Sequence, residues 1–433
     1  MFSSIKTRLR SFQIPGIFIL LFIIPLRASQ SVPPAFPGAE GFGALATGGR
    51  GGEVYHVINL DDSGPGSFRD AVSQPNRTVV FDIGGVINIT SRLQVAANIT
   101  IAGQTAPGDG VTVYGERVAF SDNTIVRHMR FHGSITMPRG GCTVIIDNLK
   151  NAIFDHVSIA WGRWDNIHIK GTSDVTLQYC LIAEGIDPQM FGALIERPQN
   201  ITIHHCLWSN NQSRNPKGKA GLQYYNNVVY NWKVSGFVGG HSAADHYQDM
   251  INNYFIAGPN SSDRFIAGFT ATDHVYHRGN HADLDKDGKL NGRLVTDEDF
   301  ISAKATLLPA ATHTAPVPVT LDAAEAAAEK VLAGAGASLK RDAVDARQIE
   351  QVKSFGKLGK IILRESDVGG QPAMESGAAL PDSDRDGIPD AWEKAHGLDP
   401  RNPDDGRQIQ PDGYSNLEHY MNSIPGMTLS GRS

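Results

Sequence analysis

Cysteine is scarce in this 433-residue chain, and the three present, Cys142, Cys180 and Cys206, do not form the framework of bridges that holds a small secreted domain together. Cationic residues are not in excess either: 39 Lys and Arg face 45 Asp and Glu, and a net charge of -6 argues against a general nucleic-acid binder. A long apolar run occurs only near the start. Lys6, Arg8 and Arg10 precede an apolar stretch from Ile14 to Leu26, with the small residues Ala28 and Ser29 beyond it. The stretch is shorter than the roughly 20 residues of a membrane span, and Pro15 and Pro25 interrupt it. Residues 1–31 therefore read as a secretory signal peptide, which places the mature protein outside the cell or in a periplasm.

What the chain does contain is glycine (46), proline (23) and 41% hydrophobic residues, enough for a large core with tight corners. Three segments beginning at Asn151, Asp174 and Asn200 align column by column. The fourth column reads Phe154, Leu177, Ile203, the seventh Val157, Cys180, Cys206, and the ninth Ile159, Ile182, Trp208. Earlier rows start at Asn98 and Asn123, with Ile101 and Val126 in the fourth column. A repeat of roughly 20–30 residues marks a solenoid. The Leu-x-x-Leu-x-Leu pattern of leucine-rich repeats is missing and the rows are β-branched, so a parallel β-helix is expected. Two cysteines fall in an inward column, as buried small apolar residues.

Columns four and nine have opposite parity, so the chain must bend at columns five and six. Arg127 and His128, Asp155 and His156, Gln178 and Tyr179, and His204 and His205 stand there. These residues are expected to satisfy one another at a corner; the competing reading is a metal held by His128, His156 and His205. Beyond the last inward strand, stacking about 4.8 Å apart puts Asp165, Glu184 and Arg214 on one flank of the coil, and Lys217 and Lys219 extend its positive side. Rows are harder to follow after Trp232, although YQDMINNYF around Asn252 reads as another rung. Six Asn-x-Ser/Thr sequons, at Asn76, Asn88, Asn98, Asn200, Asn211 and Asn260, look more like corner and strand chemistry than glycan sites.

The phrases AFPGAEGFGALATGG, NITIAGQTAPGDG, FDHVSIAW, LQYCLIAEG, NITIHHCLWSNNQSRNP and RDAVDARQIEQV resemble the secreted pectate lyases of polysaccharide lyase family 1, over roughly residues 35–360. The resemblance implies a right-handed parallel β-helix and calcium-assisted β-elimination of polygalacturonate to 4,5-unsaturated oligogalacturonides. In the family motif Arg-x-Pro-x-x-Arg the first arginine is the base and the last binds substrate. Arg214, Pro216 and Lys219 match it, with lysine in the last place: the charge is kept and the bidentate grip is not. Lys219 takes the motif's substrate-binding place, and the chemistry, which needs positive charge beside a uronate carboxylate, makes Lys217 and Lys219 the expected carboxylate partners. Of the family's acidic calcium pair Asp165 remains, beside Asn166, and stacking suggests Glu184 as its complement from the next rung. Cys142 stands where an aspartate ligand is common, and Gln189, Met190 and Phe191 where a substrate-binding lysine is expected. Those departures keep two rivals open: a glycoside hydrolase using a carboxylate pair drawn from Asp155, Asp165, Glu184 and Asp187, and a noncatalytic carbohydrate-binding protein.

Two further stretches carry acidic patterns. DLDKDGKLNG, with Asp283, Asp285 and Asp287, opens like a calcium loop but reaches Leu294 where a bidentate Glu belongs, so it is a weak site or an acidic turn. DSDRDGIPDAWE fits the EF-hand loop through Asp382, Asp384, Asp386, Gly387, the Ile388 carbonyl, Asp390 and Glu393. The expected plan is all-β: a signal peptide (1–31), a right-handed parallel β-helix (35–305), a helical cap and linker (306–375) and an EF-hand-like calcium-binding tail (376–433). The expected protein is a monomer without a membrane span, acting on pectate or a related polyuronate with Ca2+ as cofactor.

Overall fold

The computed structural model describes residues 32–430 together with Met1, Ser4 and Arg8; the rest of the expected leader lies outside the described residues. Three sheets, of eleven, ten and eight strands among these residues, run along one coil, and their pairing is parallel apart from one antiparallel strand at an edge. Each turn gives one strand to each sheet. Lys150–Asp155, Ser158–Ala160 and Asp165–Lys170 make one turn, and Ser173–Gln178 begins the next. The expected columns are the strand register: Phe154 pairs with Leu177 and Leu177 with Ile203, while Ile159 pairs with Ile182 and Ile182 with Trp208. All are fully buried, at about 1.5–3 kcal/mol for each large side chain.

Column six is where the coil turns from the first sheet to the second. His128, His156, Tyr179 and His205 all have φ between 48° and 54° there, a left-handed corner. Their rings stack on successive rungs with centroids 4.8, 5.0 and 4.9 Å apart. The ring nitrogens do not converge on one point: His156 Nδ1 donates to the Gly334 carbonyl at 2.7 Å and His205 Nε2 meets Asp322 at 2.9 Å. Burial pushes the imidazoles of His128 and His204 well below their ordinary range, keeping them neutral. The corner is a ring ladder: Arg127, Asp155 and Gln178 satisfy one another as the first reading expected, while His128 contributes stacking with no hydrogen-bond partner at either ring nitrogen.

The regular rungs continue past Trp232, where the sequence pattern weakened: after Leu222–Tyr225, His246–Ile251 and Asp273–Arg278 extend the first sheet. Their inward seventh column changes from Val157, Cys180 and Cys206 to Asn227, Asn253 and Asn280. Asn253 Oδ1 accepts from Asn227 N at 2.9 Å and Nδ2 at 3.1 Å, and Asn253 Nδ2 donates to the Tyr224 carbonyl and to Asn280 Oδ1, both at 2.8 Å. Three sequon asparagines sit in a second ladder outside: Asn98 Nδ2 donates to Asn76 at 2.9 Å, and Asn200 Nδ2 to Asp174 at 2.8 Å.

The chain's own segments cover two of the three outer faces. Residues 35–50 lie on the first sheet, where Gly43 N donates to Thr176 Oγ1 at 2.9 Å. A Cβ at Gly43 would sit 2.1 Å from the Ala152 carbonyl oxygen, so only glycine allows this approach. The helices Ala324–Gly334 and Ala343–Lys353 bury Val331, Leu332, Ile349 and Val352 against Leu181, Leu207, Val228 and Tyr254 of the second sheet. On the third sheet, two outward columns stay at least partly exposed over most of their length: Ile145, His168, Leu194 and Lys217 in one, Asp147, Lys170, Glu196 and Lys219 in the other. Among the described residues, no helix is long and apolar enough to cross a membrane.

Asn253→Ala is expected to lower stability by about 2–3 kcal/mol, because it strands a buried backbone N–H and a carbonyl in the coil. Denaturant unfolding measures this, and the far-ultraviolet spectrum at low denaturant should be unchanged.

Candidate active site

The open third sheet carries the expected cationic flank. Asp165 begins one of its strands and pairs with Phe191 on the next rung, and Phe191 is bridged in turn to Ser213. Arg214 follows, with φ 57°, and folds back over this edge. Its Nη1 donates to Asp165 Oδ1 at 3.2 Å and Oδ2 at 3.1 Å, and its guanidinium lies 4.0 Å from the centre of the Phe191 ring. Asp165 is fully buried; burial pushes its carboxyl up to about 6, against the pull of Arg214.

Lys217 opens the next strand, Lys217–Lys219, pairs with Leu194 and stands on the outer face. Burial, then the charges of Arg214 and Lys219, push its ammonium down to about 8. Lys217 Nζ lies 3.1 Å from His241 Nε2, and His241 Nδ1 lies 3.1 Å from the Gly268 carbonyl. The carbonyl fixes the proton on Nδ1 and leaves Nε2 to accept from the lysine. Lys219 stands beside Glu196 in the neighbouring column. His241 was not singled out from the sequence, because it lies outside the aligned rows in a loop after Gly239 and Gly240.

Glu184 is placed elsewhere. It occupies the left-handed corner between the second and third sheets (φ 51°) under the Ala343–Lys353 helix, where Oε2 accepts from Trp161 Nε1 at 3.1 Å and Arg347 Nη2 at 2.7 Å. The structure thus joins Asp165 and Arg214, with Lys217 close enough to feel both charges, and leaves Glu184 out of the group. Cys142 is a neutral thiol, pushed up to about 12 by burial and then by Asp165. A hard cation on this flank would find Asp165 already held by Arg214, Asp147 by His168 at 3.0 Å and Glu196 beside Lys219, and among the described residues these carboxylates form no cluster of three. That donor set does not fit a resident calcium ion. The four carboxylates weighed for hydrolysis are each engaged separately: Asp155 by Arg127 at 2.9 Å, Asp165 by Arg214, Glu184 by Arg347, and Asp187 by Arg139 at 3.2 Å and Arg163 at 3.5 Å.

Both acidic loops accept hydrogen bonds from their own backbone, Asp382 from Arg385 N at 2.7 Å and Asp386 from Ile388 N at 2.8 Å in the C-terminal one, and they differ in which further carboxylates gather. Near Asp283 the carboxylates accept from the chain itself: Asp285 from Asp287 N, Asp287 from Lys289 N, and Asp283 from Asn291 N. In the C-terminal loop, Asp382, Asp384 and Asp386 lie together, and Asp386 also meets Glu393 and Asp405. Burial and the neighbouring carboxylates push Asp386 and Glu393 up to about 7. Asp390 is turned away, accepting from Ser383 N at 2.8 Å and Ser383 Oγ at 2.9 Å. Asp405 lies beyond the twelve-residue loop pattern, which is why that pattern did not include it.

Comparison with known proteins agrees with the fold. The family model "Right handed beta helix region" matches residues 84–255. "Probable pectate lyase C" of Aspergillus flavus is 43% identical over 416 residues, covering 94% of this chain and 97% of that protein. Its namesake in Emericella nidulans is 42% identical over 429 residues, covering 94% and 96%. A solved pectate lyase of Bacillus subtilis shares the fold at TM-score 0.52 and 15% identity, over 72% of this chain and 99% of the other. The coil is thus a right-handed parallel β-helix of the polysaccharide lyase class, and the chain belongs to the pectate lyase family.

Glu184→Ala is expected to lower stability by about 3 kcal/mol, since it leaves Arg347 without its buried partner. Chemical denaturation measures it; an unchanged midpoint would remove the structural role given to this carboxylate.

Proposed function

We propose that this protein is exported and cleaves polygalacturonate by β-elimination on the open face of the third sheet, with Arg214 as the group that takes the proton. The observation that carries the reading is Arg214 and Lys217 beside the buried Asp165, with Lys219 next in line, on a face whose outward columns stay partly open to solvent. The order of basic, apolar and small residues within residues 1–31 supports export.

The chemistry asks for such a site. The C5 proton of a uronate is weakly acidic, and its removal pushes negative charge onto the adjoining carboxylate. Lys217 and Lys219 are placed to neutralise that charge as it grows. The electron pair left at C5 forms the C4–C5 double bond, and the glycosidic oxygen at C4 departs and takes a proton from water. Calcium is the family's usual aid, but with the flank's carboxylates engaged by Arg214 and His168 or standing beside Lys219, no step is assigned to it here; the lysines supply the positive charge. The exposed indole of Trp164, next to Asp165, offers an apolar face to a sugar ring.

Asp165 holds the Arg214 guanidinium through Nη1 at both carboxylate oxygens, and that hold positions the group to which the proton transfer is assigned. The separate engagement of Asp155, Asp165, Glu184 and Asp187 weighs against hydrolysis.

Wild-type protein with polygalacturonate should release product that absorbs in the ultraviolet through its conjugated double bond, and Arg214→Ala should lose roughly a hundredfold or more of that rate. Reducing ends without absorbance would mean hydrolysis, and binding without product would mean a carbohydrate-binding protein. The rate should also fall as the pH drops through about 6, because Asp165 then takes up a proton and no longer holds Arg214. In Asp165→Asn the rate is lower throughout and that acid limb is gone.

A further inference from the structure

The end of the chain returns to the beginning of the coil. Asp109 N donates to the Glu375 carbonyl at 2.9 Å and Gly84 N to that of Ser376 at 3.2 Å, which seats the returning strand on early rungs. The helices Asp390–His396 and Asn416–Ser430 then follow. Ile388, Leu417, Tyr420 and Met421 bury against Ala102 of the coil. Arg50 pairs with Glu418 at 2.7 Å, and Arg127 Nη1 donates to Asn422 Oδ1 at 2.9 Å.

Five carboxylates meet inside this lobe. The ligand atoms of Asp382, Asp384 and Asp386 lie within 4.8 Å of one another, and so do those of Asp386, Glu393 and Asp405. Glu393 is 0% exposed and neither of its carboxylate oxygens has a hydrogen-bond partner. Asp386 Oδ2, Asp384 Oδ2 and Asp405 Oδ1 are also buried without partners. A buried carboxylate is paired, protonated or bound to a metal, and among the described residues no cation reaches these oxygens.

We propose that the lobe binds one Ca2+ through Asp382, Asp384, Asp386, Glu393 and Asp405, and that the ion clamps the lobe onto the first rungs of the coil. An all-oxygen cage of mixed carboxylates suits calcium, which takes about six to eight oxygens, better than the smaller magnesium. Asp386 belongs to both groups and forms the centre. Asp405 closes the cage where the twelve-residue pattern would put Asp390, whose carboxylate is held by Ser383.

The clamp follows from Ile388. Its N–H donates to Asp386 Oδ1 at 2.8 Å while its side chain is buried against the coil, so ordering the acidic loop and seating the lobe are one event. His56 and Asp82 of the first rungs reach the same loop: His56 Nε2 lies 3.2 Å from the Arg385 carbonyl, and Asp82 pairs with Arg385 at 3.4 Å. Calcium binding in the lobe is read without reference to the reaction on the third sheet.

Calorimetric titration of the chelator-treated full chain with Ca2+ should find one tight site. Glu393→Gln and Asp405→Asn should each weaken it about tenfold or more, while Asp390→Asn stays within about twofold and Asp165→Asn keeps the ion. For the clamp, Ca2+ should protect wild-type protein from protease cleavage around the exposed Leu380, and chelator should remove that protection. Circular dichroism of each variant separates lost binding from lost folding, and the wild-type protease assay needs no variant. Absence of calcium binding, undiminished affinity in Asp405→Asn, or loss of the ion in Asp165→Asn would overturn the site. Equal cleavage with and without Ca2+ would overturn the clamp.

Discussion

Register between rungs is the constraint on which the rest of this protein depends. Each strand lies parallel above the one before, and each column repeats one kind of residue, so a single side-chain choice is reinforced along the whole coil. The corner of stacked His128, His156, Tyr179 and His205 is one result: left-handed backbone is tolerated at each rung because the rings above and below pack on it and helices such as Ala324–Gly334 supply carbonyl partners. The asparagine ladder from Asn227 to Asn280 is another, a polar column that the interior accepts because every rung satisfies the next.

Register also decides where chemistry can occur. One sheet is occupied by residues 35–50 and a second by two helices, so their outer side chains are spent on packing. The third keeps Lys217, Lys219, His168 and their neighbours half open, and Arg214 turns over its edge onto Phe191 and Asp165. The positive charge of the flank is thus local, in a chain whose net charge is -6. The carboxylates that could have served a resident cation there are bound to arginine or turned elsewhere, whereas the lobe at the far end of the chain holds five together.

Much of this was legible in the sequence and some was not, for identifiable reasons. The columns through Phe154 and Ile159 stood out because the same inward position repeats as a large apolar residue. That signal fades toward Trp232, because from Asn227 onward the inward column is asparagine; the Asn-Asn pairs at 226–227 and 252–253 are its trace. Asp165 and Arg214 were readable as neighbours because both lie along the edge of one sheet. Glu184 seemed to belong with them, since linear alignment does not show that the coil turns between column eleven and column fifteen. His241 and Asp405 come from loops outside any repeat, and only the folded chain brings them to Lys217 and Asp386.

The central claim is that the open third sheet is where the substrate lies. A crystal structure of the Arg214→Ala variant with an oligogalacturonate tests it most directly. The account predicts a sugar chain along the column of His168, Leu194 and Lys217, with a uronate carboxylate at Lys217 or Lys219. An oligogalacturonate bound on another face, or in the groove between the first rungs and the C-terminal lobe, would contradict it.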